Sequence, residues 1–356
     1  MNKENTAVGF WVSYILPEKI TTLLEGYFAA ACMYDVNFFA FSPKDVNLKN
    51  NTINGCFWEN GRFIKKITAM PKLFDLRLGG NLDRRYPDIY KALKNSGYQV
   101  SRRTIGNKND NTKWLIKNKK FADYVIESQN YENCCIKEFL SEHKIVILKP
   151  STGRNGDGIY KIRLINDDRI TVHYLSDEKE DSLSNFIVQN HDMFTQRKYM
   201  VQTFVNSTTI NGSPMDIRLN VARGHKGKWE ISLMYFRVNI GNYIGTNMGE
   251  DQRLHSTVVL KSLEYQLGKN EGRRVYKELM LFAEEFPEHF QKKLKFITPE
   301  LCMDIGIDRN NGNKLKIFEV GISPGTSFTN IPALPLLNMQ FYKYLTDEHL
   351  SDVTKL

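Results

Sequence analysis

The sequence predicts an α/β chain that turns to α+β in its C-terminal part, and three stretches carry that expectation. The first hundred residues alternate strand-like and helix-like patterns. Residues 144–164 set a glycine-rich turn between two apolar strands. Residues 301–320 set an Asn-Gly turn between two more, each bearing an acid.

Taken in order, residues 8–16 are rich in strand formers. Residues 17–32 place Ile20, Leu23, Leu24, Tyr27 and Phe28 at helical spacing. A second strand follows at 35–41, and a hairpin at 50–67 turns through Glu59-Asn60-Gly61. Residues 72–78 read as a third, parallel strand, and 86–97 as a helix. The polar run TIGNKNDN at 104–111 reads as a linker. Beyond it come helices at 112–118 and 136–142, then strands at 144–149, 159–164, 200–205, 216–223, 229–237, 301–307 and 314–320. Residues 273–294 form an amphipathic helix with Val275, Leu279, Phe282, Phe286 and Phe290 in one stripe, and Pro287 predicts a kink or break there.

Composition excludes several classes. The 356 residues are 41% hydrophobic, which suits a globular chain of two or three units. No apolar run approaches the ~20 residues of a membrane span. The first residues include an acid and lack a small-residue cleavage site after a long apolar core, so a cytoplasmic protein is expected. Five scattered cysteines without a CxxC pair indicate neither a disulfide framework nor a zinc site. The net charge of +9 is dispersed in short basic runs among acids, so nucleic acid is not expected as a partner. A modest positive excess suits an enzyme that holds a polyanionic nucleotide and an acidic substrate. No HExxH or GxSxG element points to a zinc protease or a serine hydrolase.

Two constellations carry chemistry. The first runs from Lys144 to Ile159: an apolar strand ends at Lys149, and a loop with Gly153, Gly156 and Gly158 follows. Glycine lets backbone N–H groups approach phosphate oxygens, and the lysine adds a point charge for the same anion. The lysine precedes the glycines and no helix follows directly, so this is not a P-loop. A plain structural turn remains the alternative, and the position of Lys149 favours the phosphate reading. In the second, Asp304 and Glu319 sit inside apolar strands on either side of Arg309-Asn-Asn-Gly312-Asn. A hairpin brings them side by side, where two carboxylates in apolar surroundings repel. A hard divalent cation, Mg²⁺ with nucleotide phosphates, removes that cost.

Together the lysine-ended strand, the glycine-rich hairpin, Asp216-Ile-Arg218, Met303-Asp-Ile-Gly-Ile-Asp308 and Phe318-Glu-Val-Gly-Ile-Ser-Pro-Gly325 resemble the ATP-grasp superfamily, and within it the YheC/YheD type associated with endospore coats. The resemblance covers roughly residues 105–345. It implies an ATP-grasp domain at 106–345 divided near 205, with a tail at 346–356; the α/β segment at 1–105 resembles a pre-ATP-grasp domain by its layout alone. It implies ATP and Mg²⁺ as cofactors. Lys113 and Lys149 would hold the nucleotide, and Gly153, Arg154, Asn155, Gly156 and Gly158 would form the loop over its phosphates. Gln202, Phe204 and Val205 would make the adenine hinge. Arg218 would neutralise the transferred phosphoryl, Arg237 and Asn247 would face the reaction centre, and Asp304 and Glu319 would bind the metal. Lys113 could equally be a surface lysine, Gln202 a polar strand residue and Asp216 the structural counter-ion of Arg218. The implied reaction is carboxylate activation as an acyl phosphate for attack by an amine, or less readily a thiol. The partners are then a small-molecule or peptide carboxylate and its nucleophile, with a homodimer as the default assembly. One residue departs from the pattern: Gly321 stands where most ATP-grasp enzymes carry an asparagine metal ligand. That departure keeps two alternatives open, a non-catalytic nucleotide-binding structural protein and a ligase that modifies peptides.

Overall fold

Among the described residues the strands assort into three sheets, one for each stretch of chain. The computed structural model describes residues 7–78, 81–100, 105, 108–152, 156–246, 253–294, 296–322 and 333–347.

The N-terminal unit contains β1 (Val8–Val12), α1 (Thr22–Tyr34), β2 (Phe38–Phe41), β3 (Val46–Asn47), β4 (Thr52–Glu59), β5 (Arg62–Ala69), β6 (Leu73–Leu78), α2 (Leu82–Arg85), α3 (Pro87–Ser96) and β7 (Tyr98–Val100). β1 runs parallel to β2 and β6, and β6 runs parallel to β7, as the α/β alternation predicts. The helix expected from residue 17 starts at Thr22, because Thr21 caps it: its side chain accepts the Leu24 N–H at 3.3 Å. β4 and β5 meet through Asn60 (φ 51°) and Gly61 (φ 77°), two left-handed residues that suit a two-residue hairpin turn.

The central unit holds α4 (Lys108–Lys117), β8 (Ser128–Asn130), α5 (Ile136–His143), β9 (Ile145–Pro150), β10 (Tyr160–Leu164), β11 (Arg169–Tyr174), β12 (Asp177–Ser182), α6 (Leu183–Gln196) and β13 (Tyr199–Thr203). Its strands are ordered β12-β11-β10-β9-β13-β8. Phe139, Leu140, Phe186 and Phe194 from α5 and α6 pack on Val146, Leu148, Ile162 and Val172 of the sheet. The linker expected at 104–111 is partly helix, since α4 begins at Lys108. Lys293 explains this: its ammonium donates to the Ile105 carbonyl at 2.9 Å and to the Asn111 side chain, fixing the first turn from outside.

The C-terminal unit holds β14 (Met215–Arg223), β15 (Trp229–Asn239), β16 (Arg253–Ser256), α7 (Val259–Leu267), α8 (Lys269–Gln291), β17 (Glu300–Asp308), β18 (Lys314–Gly321) and α9 (Ala333–Asp347). Its sheet is ordered β16-β15-β14-β17-β18. β14 alternates strictly: Ile217, Leu219 and Val221 join the core under α8, while Asp216, Arg218 and Asn220 face the other way. α8 continues through Pro287 without the expected break. Pro287 is buried on the stripe with Phe282, Phe286 and Phe290, and burial of that face outweighs one missing backbone hydrogen bond. None of the helices among the described residues is long and apolar enough to cross a membrane.

α9 does not stay with its own unit. Met339, Phe341, Tyr342 and Leu345 pack into the N-terminal core beside Phe10, Tyr27 and Phe28. The Tyr27 hydroxyl donates to Asn338 at 2.7 Å, Asn338 donates to the Pro299 carbonyl at 3.2 Å, and the Tyr342 hydroxyl donates to buried Asp75.

Candidate active site

A cavity of about 560 Å³ lies between the central and C-terminal sheets. Strand register builds both of its walls. On the central sheet, Gln202 pairs with Ile147, Ile147 with Lys161, Lys161 with His173, and His173 with Glu178. These five side chains share one face and line the cavity in a row across five strands. Two residues along β9, Lys149 joins the same face. On the opposite wall, Arg218 pairs with Asp304 and Asp304 with Glu319, so one row crosses β14, β17 and β18. Asp216 pairs with Arg237 on the neighbouring strand.

The apolar lining gathers where β13 leaves the sheet. Ile126, Ile147, Phe204, Val205 and Phe318 line it there together with Gln202 and Thr203, an apolar slot with polar side chains among its walls. Lys161 sits 4.4 Å from the centroid of the Phe204 ring, a cation–π contact at the slot's margin. Burial lowers the Lys161 ammonium below its ordinary range.

The charged end holds two lysines. Lys149 is 8% exposed, and burial, helped by neighbouring Lys108 and opposed by Glu319, pushes its ammonium down to about 7. Lys108 reaches in from the first turn of α4 and meets Glu319 at 3.3 Å. A phosphate placed there would restore the full charge on Lys149.

Across from them is a dense ion cluster. Arg237 donates its Nε to Asp216 at 2.6 Å and lies 2.8 Å from Asp304, which Arg218 also approaches at 2.8 Å. Asp216 accepts the Thr246 hydroxyl at 2.7 Å. Burial opposes the charge on Arg237, but the Asp216 and Asp304 carboxylates outweigh it and the guanidinium stays protonated. Burial pushes the Asp216 carboxyl upward, and its charged contact with Arg237 counters this. Asp216 and Asp304 line the cavity, with the arginines holding them from outside the lining.

A loop of seven residues, Ile240 to Thr246, roofs the cavity. Asn239 anchors its base, accepting from Gly241 N at 2.9 Å and donating to Gly245 O at 3.3 Å. Asn242 crosses to the central unit, donating to Ser176 O at 2.8 Å while its own carbonyl lies 3.1 Å from His173 Nε2.

The chain has several relatives. A sequence profile of the family described as YheC/D-like ATP-grasp matches residues 98–347. The chain belongs to that family. It is 24% identical over 310 residues to the endospore coat-associated protein YheD of Bacillus subtilis, a match that covers 83% of this chain and 66% of YheD. The match thus spans less than two thirds of that relative. The fold is similar to D-alanine–D-alanine ligase from Bacillus anthracis complexed with ATP, with a TM-score of 0.51, 11% identity and 98% of each chain covered. It is similar to the same degree to VanG D-Ala:D-Ser ligase from Enterococcus faecalis, at TM-score 0.51, 11% identity and 95% and 99% coverage. These likenesses establish an ATP-grasp fold, and the members with those names are ligases.

The structure brings seven of the fifteen expected site residues to one cavity, with Arg218 and Arg237 against its Asp304. Lys149, Gly156, Gln202, Phe204, Val205, Asp304 and Glu319 line one cavity. Gly158 stands beside it at φ 76°, where a Cβ would come within 2.5 Å of the Tyr199 hydroxyl oxygen. Gly153, Arg154, Asn155 and Asn247 lie outside the described residues. Lys113 is exposed on α4, and the lysine in the cavity is Lys108. α4 starts four residues earlier than its apolar pattern implies, and its first turn carries Lys108 to the cavity while Leu115 of the second packs into the core. Asp216 pairs with Arg237, not with Arg218. Sequence reasoning also missed Lys161, His173, Glu178 and Thr246, although the alternation of residues 169–174 could have placed His173 on a strand face.

Two carboxylates fit a Mg²⁺ ion here only in part. Asp304 and Glu319 are cross-strand neighbours facing the cavity, and Asp304 Oδ1 is already ion-paired with two guanidinium groups. Among the described residues, no group of three or more acids, histidines and cysteines is arranged to hold a metal. At position 321 a Cβ would lie 2.7 Å from Cys302 Sγ, so the thiol fills the space that a longer side chain would need. The chain thus offers two ligands at most among these residues, a number that suits Mg²⁺ when phosphates and water complete its shell.

Proposed function

We propose that this chain is an ATP-dependent carboxylate–amine ligase that forms ADP and phosphate by way of an acyl phosphate on an amino acid or peptide. One observation supports the reading: Lys149 of the central sheet and Lys108 of α4 face, across one cavity, the carboxylates of Asp216, Asp304 and Glu319 on the C-terminal sheet, and the cavity's far end is an apolar slot. The slot suits a flat base, with Gln202, Thr203 and Val205 at its edge. Lys108 and Lys149 suit the phosphates beyond it. Phosphoryl transfer asks the protein chiefly for positioning and charge neutralisation, which these groups supply.

A substrate carboxylate oxygen attacks the γ-phosphorus, and the bond to the β,γ-bridging oxygen breaks with its electron pair leaving on ADP. An amine then attacks the acyl carbon, phosphate departs, and the amine proton passes to solvent. Lys149 holds the transferred group, and Arg218 and Arg237 keep the cluster around Asp304 close to neutral. Mg²⁺ held by Asp304 and Glu319 would offset the charge of the β- and γ-phosphates. The roof from Ile240 to Thr246 keeps water from the acyl phosphate. Equilibrium binding of Mg-ATP, followed by ADP release across a panel of amino acids and short peptides, tests this reading.

Gly321, with Cys302 packed against it, favours a second reading: a nucleotide-binding structural protein without turnover. Tight Mg-ATP binding with no ADP formation across the panel selects it.

A further inference from the structure

Asp216 occupies a junction that the reaction scheme above does not use. Arg237 forks its carboxylate, donating Nε to Oδ1 and Nη2 to Oδ2, and in turn bears on Asp304. Oδ2 also accepts the hydroxyl of Thr246, the last described residue of the cavity roof. The roof is tied to the central unit by Asn242, through Ser176 and His173. A continuous chain of polar contacts therefore runs from the central sheet, along the roof, through Thr246 and Asp216, to the arginine that bears on Asp304. Asp216 is 3% exposed and Arg237 2%, so neither exchanges partners with water freely.

We propose that Asp216 is a positioning residue that couples seating of the roof to the placement of Arg237 against Asp304. When the roof is seated, the Thr246 hydroxyl on Oδ2 completes that oxygen's partners and fixes the carboxylate plane. The two oxygens then form a fork that the planar guanidinium meets through Nε and Nη2 in one orientation. When the roof lifts, that constraint goes and Arg237 loses its fixed approach to Asp304. This inference rests on the ligase reading for its consequence in turnover, but not for the coupling itself.

The experiment compares the full-length protein with Thr246→Val, Asp216→Asn and the double variant. It reads amide hydrogen exchange over residues 240–246, with and without Mg-ATP. In the nucleotide-free proteins, Thr246→Val speeds exchange in the roof about tenfold and leaves strands β9 and β13 unchanged. Adding Thr246→Val to Asp216→Asn speeds it no further, because the two act through one contact. Where wild type turns over, Thr246→Val lowers kcat about tenfold and changes the KM for ATP by less than about threefold, a split that simple destabilisation does not produce. Roof exchange unaltered in Thr246→Val overturns the proposal, and so do additive effects in the double variant. If Asp216→Asn does not fold, Thr246→Val alone decides on roof exchange. If wild type binds no nucleotide, the ligase reading falls while the nucleotide-free exchange still judges the junction.

Discussion

Lys108 meets Glu319 at 3.3 Å, joining the first turn of α4 to the strand that carries one of the two candidate metal ligands. The contact spans 211 residues of sequence and crosses from the central to the C-terminal unit. It places a cation beside buried Lys149 and leaves Lys113 on the outer surface of the helix.

Nucleotide affinity should therefore respond to Lys108 and not to Lys113. Lys108→Ala is expected to weaken Mg-ATP binding about tenfold, the worth of one charge-assisted contact, and Lys113→Ala to leave it unchanged. Titration calorimetry on both variants checks this, and the reverse ranking would return the role to Lys113.

Affinity should also depend on pH. Burial pushes Lys149 down to about 7, so above neutrality the free protein holds this lysine mostly uncharged. A bound polyphosphate stabilises the charged form, so binding takes up a proton. Affinity should then fall as pH rises from 7 towards 9, by at most about tenfold per unit. Lys149→Arg, whose guanidinium stays charged, should flatten the slope. Calorimetry in buffers of different ionisation enthalpy reads the proton uptake directly.

Removing Asp304 should cost stability as well as chemistry. Arg218 and Arg237 both lie 2.8 Å from its Oδ1, and Asp304→Ala takes the shared carboxylate from buried Arg237 and partly buried Arg218. A loss of about 3–5 kcal/mol by urea denaturation is expected. Asp304→Asn, which keeps an acceptor oxygen, should lose less.

Gly321 and Cys302 should behave as a size-matched pair. Gly321→Asn alone drives a side chain to within 2.7 Å of the Cys302 sulfur and should cost about 1–3 kcal/mol. Cys302→Ala frees that volume, so Cys302→Ala/Gly321→Asn should be more stable than the sum of the single changes. A double-mutant cycle measures the difference.

A glycine between helices sets a further limit. A Cβ at Gly272 would come within 2.5 Å of the Glu264 backbone, where α8 meets α7, and backbone cannot step aside. Gly272→Ala should lower stability by about 1–3 kcal/mol, visible as a shift in the thermal midpoint.

The sequence made the acid-bearing strands legible because each is a short apolar run beside a strong turn, and the Asp304 strand is buried along almost its whole length. Asp304 and Glu319 fall within apolar runs, and the Asn-Gly turn fixes their register. The glycine hairpin was equally plain at Lys149. The β12 strand was not, because Asp177-Glu-Lys-Glu-Asp-Ser182 is an exposed edge without an apolar face to betray it. With it went Glu178 and the row it completes. Lys108 was lost for a different reason: its helix owes its first turn to Lys293, nearly two hundred residues away, and no local pattern records that support. The Thr246–Asp216 contact joins a loop to a strand and has no local signature either.

The return of α9 to the N-terminal sheet makes the two ends of the chain mutually dependent. Severing the polypeptide after β7 would strip Phe10, Tyr27 and Phe28 of the aromatic cover that Phe341 and Tyr342 provide. The orphaned fragment would carry a sticky greasy wall and should clump rather than fold by itself. Mixing the two halves, or rejoining them in swapped order by way of α9, is then the route by which such a dissected protein could regain its form.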